Sequence, residues 1–208
     1  MTTDRQAHWE QTHSARGPHE VSWYQASPEP SLSLIRATGI AKDDAIIDIG
    51  AGASVLVDHL LDAGYSRITC LDIAAPALAI SQARLGAARA AGVEWIVADI
   101  TKWTPPRARY AVWHDRAAYH FLTSEADRKA YAHASAAAVR PGGAAIIATF
   151  APDGPLRCSN LDVRRCDRAM IEQDLGASFV IEDETRRSHT TPWGAEQKFA
   201  WFTLRRRD

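Results

Sequence analysis

The run Ala45-Ile46-Ile47-Asp48-Ile49-Gly50-Ala51-Gly52-Ala53-Ser54 decides how this chain is read. A short apolar segment ending at glycine is the pattern of a parallel strand buried on both faces. The glycines after it let a ligand approach the backbone, and a following helix offers that ligand its free N–H groups. Val55 to Ala63 has helical apolar spacing and stops at Gly64, which completes a strand–turn–helix unit.

The alternation repeats on either side. Upstream, Pro28 and Pro30 lead into a short amphipathic helix over Leu32–Ile40. Downstream, strands are expected at Arg67–Ile73, Val93–Asp99, Tyr110–His114 and Ala144–Phe150, with helices over Pro76–Ala91 and Glu125–Val139, the latter stopped by Pro141-Gly142-Gly143. Strands alternating with helices imply a right-handed, doubly wound sheet. The end departs from that rhythm. Phe179–Arg187 and Glu196–Arg205 are strand-like runs joined by a Thr-Pro-Trp-Gly turn, and so short a link permits only an antiparallel hairpin. The expected fold class is α/β: a doubly wound, mostly parallel seven-stranded sheet with an antiparallel C-terminal hairpin and helices on both faces.

Composition narrows the class of partner. The chain has 208 residues, 46% of them apolar and 24% charged, with a net charge of -1. That suits one α/β domain and disfavours a nucleic acid partner, which a basic face would announce. The three cysteines, Cys70, Cys158 and Cys166, lack metal-ligand spacing and suggest reduced thiols, so no metal site is expected. Neither a signal-peptide core nor an apolar run of about 18 residues is present. A cytoplasmic protein with no membrane partner is the expectation. Residues 1–27 carry Trp9, Trp23 and Tyr24, too apolar for an idle tail. They are read as a lid segment on a Rossmann-like domain spanning 28–208.

The strand ends point to the cofactor. Asp72 closes the second strand, where a carboxylate can accept both ribose hydroxyls of an adenosine cofactor. Asp99 closes the third, and with Ile100 it can frame an adenine. The dinucleotide fingerprint G-x-G-x-x-G would need glycine where Val55 stands. Asp48, two residues before Gly50, would repel a pyrophosphate but suits the amino group and sulfonium of S-adenosylmethionine.

On these residues the chain resembles the class I S-adenosylmethionine-dependent methyltransferases from about Trp9 to Leu204. Their acidic residue followed by G-x-G-x-G corresponds to Asp48, Gly50 and Gly52, with Ser54 replacing the third glycine. The resemblance implies that Asp72 and Ile73 contact the ribose and that Asp99 and Ile100 contact the adenine. Pro141-Gly142-Gly143 and the terminal hairpin also correspond. Trp9 and Trp23 are expected to cover the cofactor, with burial against the core as the competing account.

The acceptor side is expected after the fourth strand, in Trp113-His114-Asp115-Arg116-Ala-Ala-Tyr119-His120-Phe121. Methyl transfer from a sulfonium needs alignment, exclusion of water and, for some acceptors, a base. His114, Asp115, Arg116 and His120 are the catalytic or positioning candidates. The rival account is a strand cap with a packing histidine. Cys158 is either a pocket wall or a plain loop cysteine. The leading function is methyl transfer to a small molecule, with a thiol or other soft nucleophile as one possible acceptor. A protein-lysine methyltransferase comes second. His8-Trp9-Glu10 and Ser22-Trp23-Tyr24 are similar to an N-terminal feature of small relatives of lysine enzymes, yet those enzymes usually lack His-Asp-Arg after the fourth strand. A nicotinamide oxidoreductase and a non-catalytic cofactor-fold protein rank lower.

Overall fold

Ala45–Ile49 forms β1, and all five of its residues are buried because helices cover both faces of the sheet. The computed structural model describes residues 5–15, 17 and 19–208; positions 1–4, 16 and 18 of the expected lid segment lie outside the described residues. Around β1 stand β2 (Arg67–Asp72), β3 (Val93–Val97), β4 (Tyr110–Arg116), β5 (Val139–Phe150), β8 (Phe179–Thr190) and β9 (Glu196–Arg206). Their order is β3-β2-β1-β4-β5-β9-β8. The first five pair in parallel, and β9 runs antiparallel to both β5 and β8. This is the expected architecture. The order reverses between β1 and β4, and a doubly wound sheet opens its binding crevice at such a switch.

The two-residue period of a strand divides the core into two layers. Ile46, Ile146 and Ala148 join one cluster with Leu32 and Ile35 of α2 (Ser31–Ala37), Leu56 and Leu60 of α3 (Leu56–Asp62), and Leu78 of α4 (Ala75–Ala90). Ile47, Ile49, Ala145 and Ile147 face the other cluster, with Tyr131 of α5 (Glu125–Ala138) and Ile171 of α6 (Arg168–Leu175).

Several elements differ from the sequence reading. β5 begins at Val139 instead of Ala144, since Val139 already pairs with Tyr110 before Ala144 pairs with Val112. Arg140–Gly143 therefore bulge out of the ladder. Only glycine fits at 143, where a Cβ would lie 2.9 Å from Arg140 O and 3.0 Å from Ala111 O. The N-terminal segment contains a helix, α1 (Arg5–Ala15), that buries no residue, so no apolar stripe betrayed it. The connection after β5 holds a small ladder, β6 (Arg157–Cys158) with β7 (Leu161–Asp162), and then α6. Asp167 caps α6 by accepting from Met170 N at 2.9 Å, a side-chain cap at the start of a helix.

Ile47 is 0% exposed at the centre of the sheet. Ile47→Ala should cost about 2–5 kcal/mol, which lowers the melting temperature by roughly 4–20 °C in a chain of this length. Thermal denaturation followed by circular dichroism measures it; an unchanged midpoint would mean that this layer repacks freely.

Candidate active site

The turn after β1 sets the floor of the site. Gly50 and Gly52 have φ of +64° and +52°, a conformation that side chains with a Cβ strongly disfavour. A Cβ at Gly50 would also meet Ala118 Cβ at 2.7 Å. The turn is tied to its neighbours by Ala51 N donating to Leu71 O at 3.1 Å and Ser81 Oγ donating to Gly52 O at 3.0 Å.

Asp72 binds this turn directly. Its Oδ2 accepts from Gly52 N at 2.9 Å and its Oδ1 from Ala74 N at 2.8 Å. Burial with no cation beside it pushes this carboxyl up to about 6, against the pull of those two bonds. Asp99, at the end of the next strand connection, accepts from Thr101 N and Oγ1 at 2.9 and 2.7 Å, and Arg5 of α1 lies 3.4 Å away.

The sequence candidates after β4 separate into two groups. His114, 2% exposed, lies between Asp48 and Ser31: Nδ1 is 2.6 Å from Asp48 Oδ1 and Nε2 is 2.9 Å from Ser31 Oγ. A carboxylate only accepts, so Nδ1 carries the proton toward Asp48. Arg116 donates to Trp23 O at 2.6 Å, and burial lowers its guanidinium to about 10. His114 and Arg116 both line the main cleft.

Asp115 and His120 stand outside the cleft, in the positions the rival account of a strand cap with a packing histidine describes. Asp115 is 0% exposed and fully engaged. Its Oδ1 accepts from Ala118 N and Tyr119 N, and its Oδ2 from Tyr131 Oη at 2.8 Å, so it braces the turn at Tyr119–Phe121. His120 is packed between Phe121 and Phe150, with centroids at 4.4 and 4.7 Å, and its Nδ1 accepts from Phe150 N at 3.4 Å. Burial, reinforced by the charge of Arg116, drives it down to about 3. It is held neutral, and neither residue lines the cleft.

That cleft encloses about 1070 Å³ of empty space including its open mouth. Asp48, Gly50, Gly52, Ser54, Asp72, Ile73, Asp99 and Ile100 all line it, so the sequence-expected cofactor residues do meet. Trp9 and Trp23 line it too, with ring centroids 5.8 Å apart and Phe121 4.9 Å from Trp9. Ser31, His13 and Arg5 also belong to it and were not read from the sequence; Phe121, from the stretch expected after the fourth strand, lines it as well. Ser31 opens a helix with nothing around it to suggest a binding role.

A doubly wound sheet whose glycine turn and strand-end carboxylates converge on one cleft defines an enzyme of the Rossmann-like, nucleoside-cofactor class. Residues 46–143 match the family model described as a methyltransferase domain, which supports reading the chain as a methyltransferase. It is similar to the structure of an S-adenosylmethionine-dependent methyltransferase from Anabaena variabilis, with 15% identity, a TM-score of 0.75, and coverage of 99% of this chain and 96% of that one. It is also similar to the Burkholderia thailandensis 1,6-didemethyltoxoflavin-N1-methyltransferase bound to S-adenosylhomocysteine, with 22% identity, TM-score 0.71, and 86% and 78% coverage. A third structure, described by the conversion of a disulfide bond into a thioacetal group during echinomycin biosynthesis, gives 20% identity, TM-score 0.77, and 96% and 90% coverage. At these identities the likeness is one of fold. Comparison with curated protein sequences finds no significant match.

The site fits S-adenosylmethionine. The glycine cradle leaves room for a backbone-hugging ligand, and Asp72, which lines the cleft, would be the carboxylate to accept from a ribose diol. A hydroxyl donating to a carboxylate favours its ionised form. Cofactor binding and protonation of Asp72 should therefore compete: Kd stays level above pH 6 and rises by about tenfold per unit below the carboxyl's own value of about 6. Asp72→Asn should bind about ten- to hundredfold more weakly and lose that dependence. Calorimetry from pH 5 to 8 is the measurement, and a flat profile for the parent chain would remove Asp72 from the ribose site.

Proposed function

We propose that this chain transfers the methyl group of S-adenosylmethionine to a small-molecule acceptor, with thiols and other soft nucleophiles in the range to be tried. One observation carries the choice of acceptor class. On the side of Asp48 toward β4 the cleft lining brings in Arg116, whose guanidinium binds the Trp23 carbonyl, together with Pro28, Phe121 and Cys158, so aromatic and apolar groups and a cation join the walls there. An ammonium acceptor such as protein lysine would call for an open, acidic groove.

When bound, the cofactor supplies an electrophilic sulfonium methyl; the chain supplies position. Asp72 would take the ribose, Asp99 and Ile100 the adenine, and Asp48 the amino group of the methionine end. His114 fixes the Asp48 carboxylate through the 2.6 Å contact, and Ser31 holds the far side of its ring at 2.9 Å. We assign His114 a positioning role on that basis. Asp115 and His120 support the corner that carries Arg116 and Phe121. Trp9 and Trp23 roof the cleft, and α1 is anchored beyond it by Arg5, whose guanidinium is 2.7 Å from Asp127. Residues 1–27 thus serve as the lid that excludes water. Among the described residues no helix is long and apolar enough to cross a membrane.

Two measurements test this reading. An acceptor panel of small thiols, amines and hydroxy compounds, followed by S-adenosylhomocysteine release, should give turnover; methylation confined to lysine-containing proteins would overturn it. His120→Asn, which keeps an acceptor near the Nδ1 position, should change kcat by less than about tenfold and leave the pH–rate profile in place, whereas losing a general base costs about 10²–10⁴-fold.

A further inference from the structure

Arg116 is a cation without a counter-ion. Of its five N–H donors, one is spent on the Trp23 carbonyl at 2.6 Å. Among the described residues no carboxylate lies within ion-pairing distance of it. Asp48, whose charge acts on it from further away, is already committed to His114 at 2.6 Å. Arg116 is half-buried at the end of its strand and lines open space, so its remaining donors are available to an anion.

The surroundings show where that anion would sit. Arg116 lines the cofactor cleft and also a second cavity of about 680 Å³, including its mouth, between the segment around Gln25–Ser33 and the β8–β9 hairpin. Arg187, His189, Ser188 and Trp201 are on the hairpin side of that cavity. Arg187 makes no ion pair among the described residues, while Glu29 on the opposite wall is engaged by Ser33 N at 3.1 Å. His189 is turned away to Ser22 O at 2.7 Å. The second cavity thus mixes polar walls with the apolar surfaces of Pro30, Phe199 and Trp201, carries more positive than negative charge, and has Arg116 at its junction with the cleft.

We propose that the methyl acceptor carries a carboxylate or similar oxyanion held by Arg116, with the acceptor's body extending into the second cavity. This rests on the small-acceptor reading above. The anion is an anchor and not the atom methylated, because a guanidinium-paired carboxylate is a poorer nucleophile than the group it positions. The same donors could instead take the carboxylate of the cofactor's own methionine end, and the experiment separates the two sources.

The probes are mercapto-, amino- and hydroxybenzoates, each paired with its benzamide, titrated by calorimetry into the S-adenosylhomocysteine complex and offered as acceptors with S-adenosylmethionine. At least one acid should bind, and react, about ten- to hundredfold better than its amide. Arg116→Gln should erase that preference, raising KM far more than it lowers kcat, and Arg116→Lys should restore part of it. Arg187→Gln, remote from the cleft, should weaken the acids by a smaller factor. Failure of every acid to outbind its amide overturns the proposal. So does a loss in Arg116→Gln of affinity for S-adenosylhomocysteine but not for 5′-methylthioadenosine, which lacks the carboxylate; that pattern assigns Arg116 to the cofactor. Turnover of acids and amides alike would sink this inference while leaving the small-acceptor reading intact, and no turnover of any small molecule would sink that reading itself.

Discussion

The hydrogen bond from Gly52 N to Asp72 at 2.9 Å ties the end of β2 to the turn that follows β1, and much of the site is built around it. The turn runs through two left-handed glycines, and without a partner its exposed amide would have no fixed direction. Asp72 gives it one and is itself held by Ala74 N at the start of α4. The same carboxylate is then set at the crevice where the strand order reverses. A buried carboxyl with no cation nearby is costly, and its upward shift to about 6 is the sign of that cost. The backbone bonds offset part of it, and a ligand with two hydroxyls would offset more.

Charge is graded along the cleft. Asp99 and Asp72 mark one end, Asp48 with His114 the middle, and Arg116 the other. The order matches a ligand whose nucleoside and amino group prefer anions and a second ligand that does not. His114 carries the transition between the two halves, since its ring joins Asp48 of β1 to Ser31 of α2. It therefore couples the sheet to the helix that follows the N-terminal segment.

The legible part of the fold was the part with strong periodicity. Ala45–Ile49 and the alternation after it gave the sheet, and the short Thr191–Ala195 link gave the hairpin, closed by Thr191 N to Ala195 O at 2.8 Å. The cofactor residues from Asp48 to Ile100 were legible because they sit at or just past strand ends, where position alone implies an edge. The residues after β4 were harder. The sequence places Asp115 and His120 near Arg116 but cannot say which way each side chain turns. In the structure a strand's alternation sends His114 and Arg116 toward the cleft and Asp115 the opposite way, to Tyr131. Helix α1 was invisible for a different reason: with no buried residue it lacks the amphipathic signal and is held by Arg5 and by aromatic contacts across long sequence distances.

The contact from Arg116 to residue 23 goes to a main-chain carbonyl. It is indifferent to the side chain that residue carries. The aromatic ring facing the cleft and the cation at its end are consequently independent variables: a lineage could exchange Trp23 for another shape and keep its charge recognition, or recode Arg116 and keep the roof. One determinant stands at the end of a strand and the other on the segment that precedes α2, so each can be recoded while the other stays in place.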